Sequence, residues 1–326
     1  MIFPKSMKYI CSDSFFGTDD CCTYIFKGQP KIIADRSSVY TWNSTHKKGI
    51  VFLGKPGGSV EEYASKFGIR FISTDSYEYD KRFSVRVDDE TGGLIIEGIV
   101  VDKNAEIPAQ IYGMEVTCIG DNASSKSKSI ETLILPDTVK KIKYGAFEEC
   151  IKLKKVIIPD SVEMMGQYIF GGCDELEEVV LGSGLIKMGV YDGITSSWVG
   201  NFDDCRNLKK VTIKSTSLKE IPKDTFSGCS SLNSINLSDG LTSIGDHAFS
   251  SSGLTHIKLP QSLTSIGRFA FAHNKFRSVK IPEKVIDIGE YAFHSSDYSV
   301  TVIGKKGSAA EIYTKKFYRH RFVYRC

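Results

Sequence analysis

The sequence contains no run of eighteen or so apolar residues, so no transmembrane helix and no membrane insertion are expected. Its opening, Met1-Ile2-Phe3-Pro4-Lys5, has no apolar h-region and no cleavage site, and so no signal peptide. Charge of one sign is scarce: 42 Lys and Arg face 39 Asp and Glu, a net +3, too little to argue for a nucleic-acid partner. The six histidines, at 46, 247, 256, 273, 294 and 320, form no His-x-x-x-His pair. Asp246 beside His247 does not make a triad, which needs three converging groups. The nine cysteines, at 11, 21, 22, 118, 150, 173, 205, 229 and 326, lack the paired short spacings of a zinc site. Gly304-Lys305-Lys306-Gly307-Ser308 lacks the spacing and long following helix of a phosphate loop. No metal, no cofactor and no enzymatic activity are expected.

What the sequence does contain is a repeat. Over residues 130–293 the anchors Ile130, Leu153, Leu176, Leu208, Leu232, Leu254 and Phe276 follow one another at spacings of 23, 23, 32, 24, 22 and 22. Within one unit, Val156 and Ile158 alternate with Ile157 as in a short strand. Pro159 stops further pairing because it has no N–H, and Gly166 after Met165 marks a tight turn. Stacking the units gives an isoleucine-type column (Ile142, Met165, Met188, Ile221, Ile244, Ile266, Ile288) and an aromatic column (Phe147, Phe170, Phe202, Phe226, Phe249, Phe271, Phe293). A fixed period of this length with one apolar strand per unit predicts a leucine-rich repeat solenoid. No unit buries its apolar face alone; each gains its core by covering a neighbour. Cys150, Cys173, Cys205 and Cys229 share one column, as small buried residues with weak S–H donors; a disulfide between neighbours is conceivable but not implied.

The unit Leu-x-x-Val-x-Ile-Pro-x-Ser-Val-x-x-Ile-Gly-x-x-Ala-Phe-x-x-Cys resembles the BspA-like leucine-rich repeat family. The resemblance implies a β-rich fold with short strands stacked per 22–24 residue repeat. It also implies a cell-surface or secreted repeat protein of host-associated bacteria or some protozoa, with adhesion or protein binding and no catalysis in the repeats. The chain lacks a signal peptide, and residues 1–17 match the second half of a unit, with Phe15 in the aromatic place; a fragment of a longer surface or extracellular protein is therefore expected.

A second pattern occurs twice. Val51-Phe52-Leu53-Gly54-Lys55-Pro56-Gly57-Gly58-Ser59 leads into Val60, Tyr63, Ala64 and Phe67, one face of a helix ended by Gly68. Thr301-Val302-Ile303-Gly304-Lys305-Lys306-Gly307-Ser308 leads into Ala310, Tyr313 and Phe317. Both resemble the family's terminating segment of strand, turn and helix, with Glu61, Glu62, Lys66, Glu311, Lys315 and Lys316 turned to water. Two such segments predict two repeat blocks. Residues 1–75 are the C-terminal part of a first block with its cap. Residues 76–326 are a second block, with an entry hairpin at 82–98, repeats at 99–297 and a cap at 298–326. Residues 18–50 read as irregular, with candidate strands at 24–26, 31–33 and 50–53. The tract Ser73–Lys81 reads as a linker, and in the first unit of the second block Ser124 stands where the others have Phe.

A protein ligand is the expected partner, which the family resemblance implies is a host or matrix protein, and the chain is expected to be a monomer. The outward strand positions form two columns, Thr132, Lys155, Glu178, Lys210, Ser234, His256, Ser278 and Ile134, Ile157, Val180, Thr212, Asn236, Lys258, Lys280. Ile134, Ile157 and Val180 beside Lys155, Glu178 and Lys210 suit a protein-binding patch; β-branched residues also suit strands as such. His256, Lys258 and Lys280 form a polar, basic far end suited to an acidic partner. The long third unit carries an insertion at 187–200 with Tyr191, Trp198 and three glycines, either a contact loop or a fold-back of Trp198 over the repeat edge. The competing function is a rigid spacer presenting another domain. A carbohydrate-binding module needs open aromatics, and these columns have none.

Overall fold

The computed structural model describes residues 2–3, 9–11, 23–26, 31–33, 51–73, 82–88, 91–189, 200–295, 299–317 and 321–324. Cys21, Cys22, Cys326, Phe15 and the linker residues 74–81 lie outside them. The fold is a β-rich solenoid of short strands with two helices, α1 (Ser59–Phe67) and α2 (Ala309–Lys316). It forms two compact units, one of residues 1–100 with 108–118 and one of residues 101–107 with 119–326.

In the first unit Ile2–Phe3, Thr23–Phe26, Val51–Gly54 and Arg70–Ser73 form one parallel sheet, and Tyr9–Cys11 pairs in parallel with Lys31–Ile33. The candidate strands at 24–26, 31–33 and 50–53 are present as Thr23–Phe26, Lys31–Ile33 and Val51–Gly54. Their parallel pairing is that of the repeat, which the sequence does not mark here because the Ile-Gly and Ala-Phe signatures are absent. Phe52 packs edge-on to Tyr24 and Phe26 and parallel to Tyr63 of α1. Phe83–Val87 pairs antiparallel with Leu94–Ile99 as a hairpin, and both strands belong to this first unit.

In the larger unit most repeats contribute two strands, and single bridges at Lys187 and Lys258 stand in for the missing ones. Lys155–Ile157, Glu178–Leu181, Lys210–Ile213 and Ser234–Asn236 pair in parallel in that order. Asn104–Glu106 pairs with Thr132–Ile134, and Ser278–Lys280 with Thr301–Gly304 and then Arg321–Tyr324. Val156 is buried between exposed Lys155 and Ile157, the period-two alternation of a half-buried strand. The second row, of two-residue strands, carries the isoleucine column: Met165, Ile221, Ile244 and Ile266 are buried. The glycine that follows is needed because adjacent turns nearly touch. A Cβ at Gly245 would lie 2.5 Å from the Lys223 backbone nitrogen, and one at Gly289 2.4 Å from that of Arg268.

The aromatic column is one continuous stack. Phe147, Phe170, Phe202, Phe226, Phe249, Phe271 and Phe293 are at most 1% exposed. Successive ring centroids are 5.2–5.6 Å apart and successive planes 2–18° from parallel. Each ring therefore covers both of its neighbours, an arrangement worth more than its buried area alone. Ser124 heads the column and is itself buried.

Beside the stack runs a ladder of donors. Cys150 Sγ donates to the Ser124 carbonyl, and Cys173, Cys205 and Cys229 donate to the carbonyls of Phe147, Phe170 and Phe202, at 3.1–3.3 Å. Ser252 Oγ and Asn274 Nδ2 take the same place and donate to Phe226 and Phe249, at 2.8 and 2.6 Å. The column thus selects for a small donor, with thiol, hydroxyl and amide interchangeable. Cys118, Cys150, Cys173, Cys205 and Cys229 are buried free thiols. Burial pushes Cys150 up to about 12 and the other three of the ladder well above the ordinary thiol range, so they are poor nucleophiles.

The two helices close their strands in matching ways. α1 buries Val60, Tyr63 and Ala64, and Gly68 ends it at φ 65°. α2 buries Ala310 and Tyr313. Within the stack each Phe N–H finds a carbonyl in the next turn, as Phe271 does at Ala292. Phe293 has no such turn, and its N–H donates instead to the Tyr313 hydroxyl at 3.1 Å, the two rings meeting edge-on at 5.7 Å. Burial pushes the Tyr313 phenol up to about 12. Glu311 corrects an expectation. It does not face water; its side chain is 10% exposed. The carboxylate accepts the Gly307 N–H at 2.7 Å, as Glu61 accepts that of Gly57 at 2.7 Å, and the Gly307 N–H and Lys315 hold it below its ordinary range.

Two outcomes follow from the stack and its ladder. Phe226→Ala is expected to lower unfolding free energy in urea by about 3–5 kcal/mol, because rings fixed on both sides close poorly over a hole; a loss under about 1 kcal/mol would contradict a shared core. Cys229→Ser should stay near wild type while Cys229→Val loses about 1 kcal/mol with the donor; the opposite ranking would show that the column needs only apolar bulk.

Candidate protein-binding face

The outward residues of the first strands fall on three short sheets, Asn104–Glu106 with Thr132–Ile134, Lys155–Ile157 through Ser234–Asn236, and Ser278–Lys280 through Arg321–Tyr324, and the strand register sets which of them meet. Glu178 stands between Lys155 and Lys210 on neighbouring strands. Its two carboxylate oxygens each take one ammonium group, Oε2 from Lys155 and Oε1 from Lys210, both at 2.8 Å. Hydrogen bonds from these two lysines hold Glu178 down to about 2. Lys209 pairs with Glu177 at 3.1 Å and Lys103 with Glu131 at 3.4 Å in the adjacent column. Single exposed pairs contribute little, but here the sheet already sets the spacing, so less side-chain freedom is lost in forming them.

The second column begins apolar. Ile134 is 56% exposed and Ile157 50% exposed, on strands that lie side by side. Val180, paired with Ile157, is half-buried, and Thr212 follows it. The structure therefore gathers Ile134, Lys155, Ile157, Glu178, Val180 and Lys210 into one patch. His256, Lys258 and Lys280 sit further along the same unit on exposed positions. Lys258 bridges to Asn236, and Lys280 pairs with Ile303. Tyr191 and Trp198 lie outside the described residues.

One surface feature escaped the column reading. His247, Phe269 and Tyr291, each two residues ahead of a core phenylalanine, stack along a turn edge with centroids 5.0 and 5.1 Å apart, and Tyr291 meets Phe317 at 5.1 Å. Arg268 lies over Phe269 at 4.9 Å. All three ladder residues have φ of 52–56°. Their shared spacing was the available signal, masked by mixed residue types. Phe269 has its faces covered by its neighbours, which leaves edges outward and gives a sugar little to stack on.

Among the described residues no group of three or more His, Cys, Asp or Glu side chains is placed to hold a metal, and no helix is long and apolar enough to cross a membrane.

Comparison with known proteins agrees with this architecture. The family described as BspA type leucine rich repeat region matches residues 103–192 and 199–323, in six copies. A leucine-rich repeat protein from Bacteroides ovatus, known from its crystal structure, is similar at 24% identity over 76% of this chain and 67% of that one, with a TM-score of 0.51. It shares the fold. One from Eubacterium ventriosum aligns at 16% identity over 86% and 77%, TM-score 0.47. A leucine rich cell surface protein from Faecalibacterium prausnitzii aligns at 19% identity over 78% and 96%, TM-score 0.33. No curated protein matches the chain.

The shared carboxylate gives a pH signature. A folded pKa lowered below the unfolded one adds stability above the unfolded value and loses it as pH falls. The stability gap between wild type and Glu178→Gln, measured by urea unfolding, should therefore hold from pH 7 to near the ordinary value of 4.5 and close toward about pH 2. A gap independent of pH would mean that Glu178 does not bridge the two lysines in solution.

Proposed function

The chain belongs to the BspA-type leucine-rich repeat family, and from that premise we propose that it is a non-enzymatic recognition or adhesion module of a cell-surface or secreted protein. Leucine-rich repeats are typically protein-interaction modules, and no catalytic family is indicated. The observation that carries the reading is the row Ile134, Ile157 and Val180 at outward strand positions, two of them half-exposed or more. Beside it Glu178 takes both Lys155 and Lys210, a trio with one net positive charge. A partner covering the row buries apolar area with these charges at its edge, the usual anatomy of an interface centre and rim. Lys155, Glu178 and Lys210 form the rim, and the insertion at 187–200, with Tyr191 and Trp198, is the second contact element of the proposal. Two repeat blocks, each closed by its own helix-bearing segment, complete it; the matching Gly57–Glu61 and Gly307–Glu311 contacts support that division.

The test is a titration of the purified protein against a panel of matrix and serum proteins. A saturable partner is expected, and Ile134→Asp with Ile157→Asp should weaken it by tenfold or more, about 1.4 kcal/mol, the size of a modest hot spot. Circular dichroism checks that the variant still folds. Binding that survives the double change removes this face from the proposal; absence of any saturable partner leaves the spacer role.

A further inference from the structure

We propose that the cleft bordered by Lys280, Lys284 and Lys305, with Lys258 one repeat before it, is a docking site for an acidic, Asp- and Glu-rich stretch of a partner polypeptide. This deepens the recognition reading above and rests on it. Lys258 and Lys280 hold the same column position twenty-two residues apart, and both are exposed. Beyond Lys280 opens a cleft of about 510 Å³ lined by Gln261, Lys280, Glu283, Lys284, Ile303 and Lys305 among others.

The cleft lies beside the last of a series of turns. Turns that follow the strand positions are closed by Val162 N–H to the Pro159 carbonyl, Leu263 to Pro260 and Val285 to Pro282. Lys305 stands at the next such place, where its carbonyl takes the Ser308 N–H at 3.2 Å before the chain enters α2. Lys280, Lys284 and Lys305 border the cleft beside these last two turns.

Charge separates this end from the other. Lys103 and Lys209 pair with Glu131 and Glu177, and Lys155 and Lys210 share Glu178. Among the described residues Lys258, Lys280 and Lys284 have no carboxylate within ion-pair distance. Lys305 has only Glu283 at 3.3 Å, and both side chains are largely exposed, 64% and 71%, so that pair is weak and readily exchanged. Lys258, Lys280 and Lys284, left unpaired by the fold, are complementary to added carboxylates. The lining favours a polypeptide over other polyanions. It offers no aromatic ring on which a base stacks and few cations for a phosphate chain. Ile303 and Gln261 suit the stem and amide groups of a peptide. An extended segment repeats its side chains on one face about every 6.6–6.8 Å, a reach that lets alternate carboxylates meet lysines across the cleft.

The experiment is fluorescence anisotropy of a labelled deca-glutamate peptide with the whole chain at low salt. Saturable binding is expected, weakened at least tenfold by Lys258→Glu with Lys280→Glu and changed less than twofold by Lys155→Gln with Lys210→Gln. Thermal unfolding checks that each variant folds. No binding, or equal sensitivity to both pairs, overturns the proposal. A heparin octasaccharide or a ten-nucleotide single strand that binds more tightly than the peptide with the same Lys258/Lys280 dependence also overturns it, in favour of a glycan or a nucleic acid. If the peptide fails while partner binding still depends on Ile134 and Ile157, only this inference falls. If the peptide binds and no such dependence exists, the apolar patch falls instead.

Discussion

Every turn of the larger unit leaves hydrogen-bonding capacity at its phenylalanine for the next turn to fill. The Phe N–H reaches forward to a carbonyl one turn on, and the Phe carbonyl receives a Cys, Ser or Asn donor from that same turn. The ring between them is covered on both faces by other rings. Polar satisfaction and apolar burial thus depend on the same neighbour, which is why a single repeat has no stable fold alone and a stack of them does. The glycine after each isoleucine belongs to the same constraint, since turns drawn this close leave no room for a Cβ.

Where the sequence repeats, its residues declare their places. The isoleucine and phenylalanine columns, the outward strand positions and the two helix-bearing segments all follow from period and alternation. What stayed hidden depends on contacts between residues far apart in the chain. Cys173 reads as a small apolar filler until the Phe147 carbonyl is found above it. Glu311 reads as a solvent-facing helix residue, whereas the chain folds back so that the Gly307 N–H meets it. Lys155, Glu178 and Lys210 were visible as neighbours in a column, but one carboxylate serving two lysines required the strand register. The His247–Phe269–Tyr291 ladder stays hidden because its column varies in residue type, and a pattern of identities does not register a pattern of shapes.

The sheet face inherits its rigidity from the core beneath it. Val156, Val179 and Val211 point inward and are buried, so their outward neighbours Lys155, Glu178 and Lys210 are held in step. Few side chains need ordering when a partner arrives, which lowers the entropic cost of association. The same regularity lets one face carry two chemical characters, an apolar, charge-compensated stretch and a basic one, with no change in backbone.

The Tyr313 hydroxyl, standing where the carbonyl of one more turn would be, separates how the stack ends from how long it is. Whichever repeat came last would present the same N–H to the same phenol. A repeat gained or lost upstream of Phe293 leaves that contact as it is, so the reach of the array can change in whole-repeat increments without a new terminus.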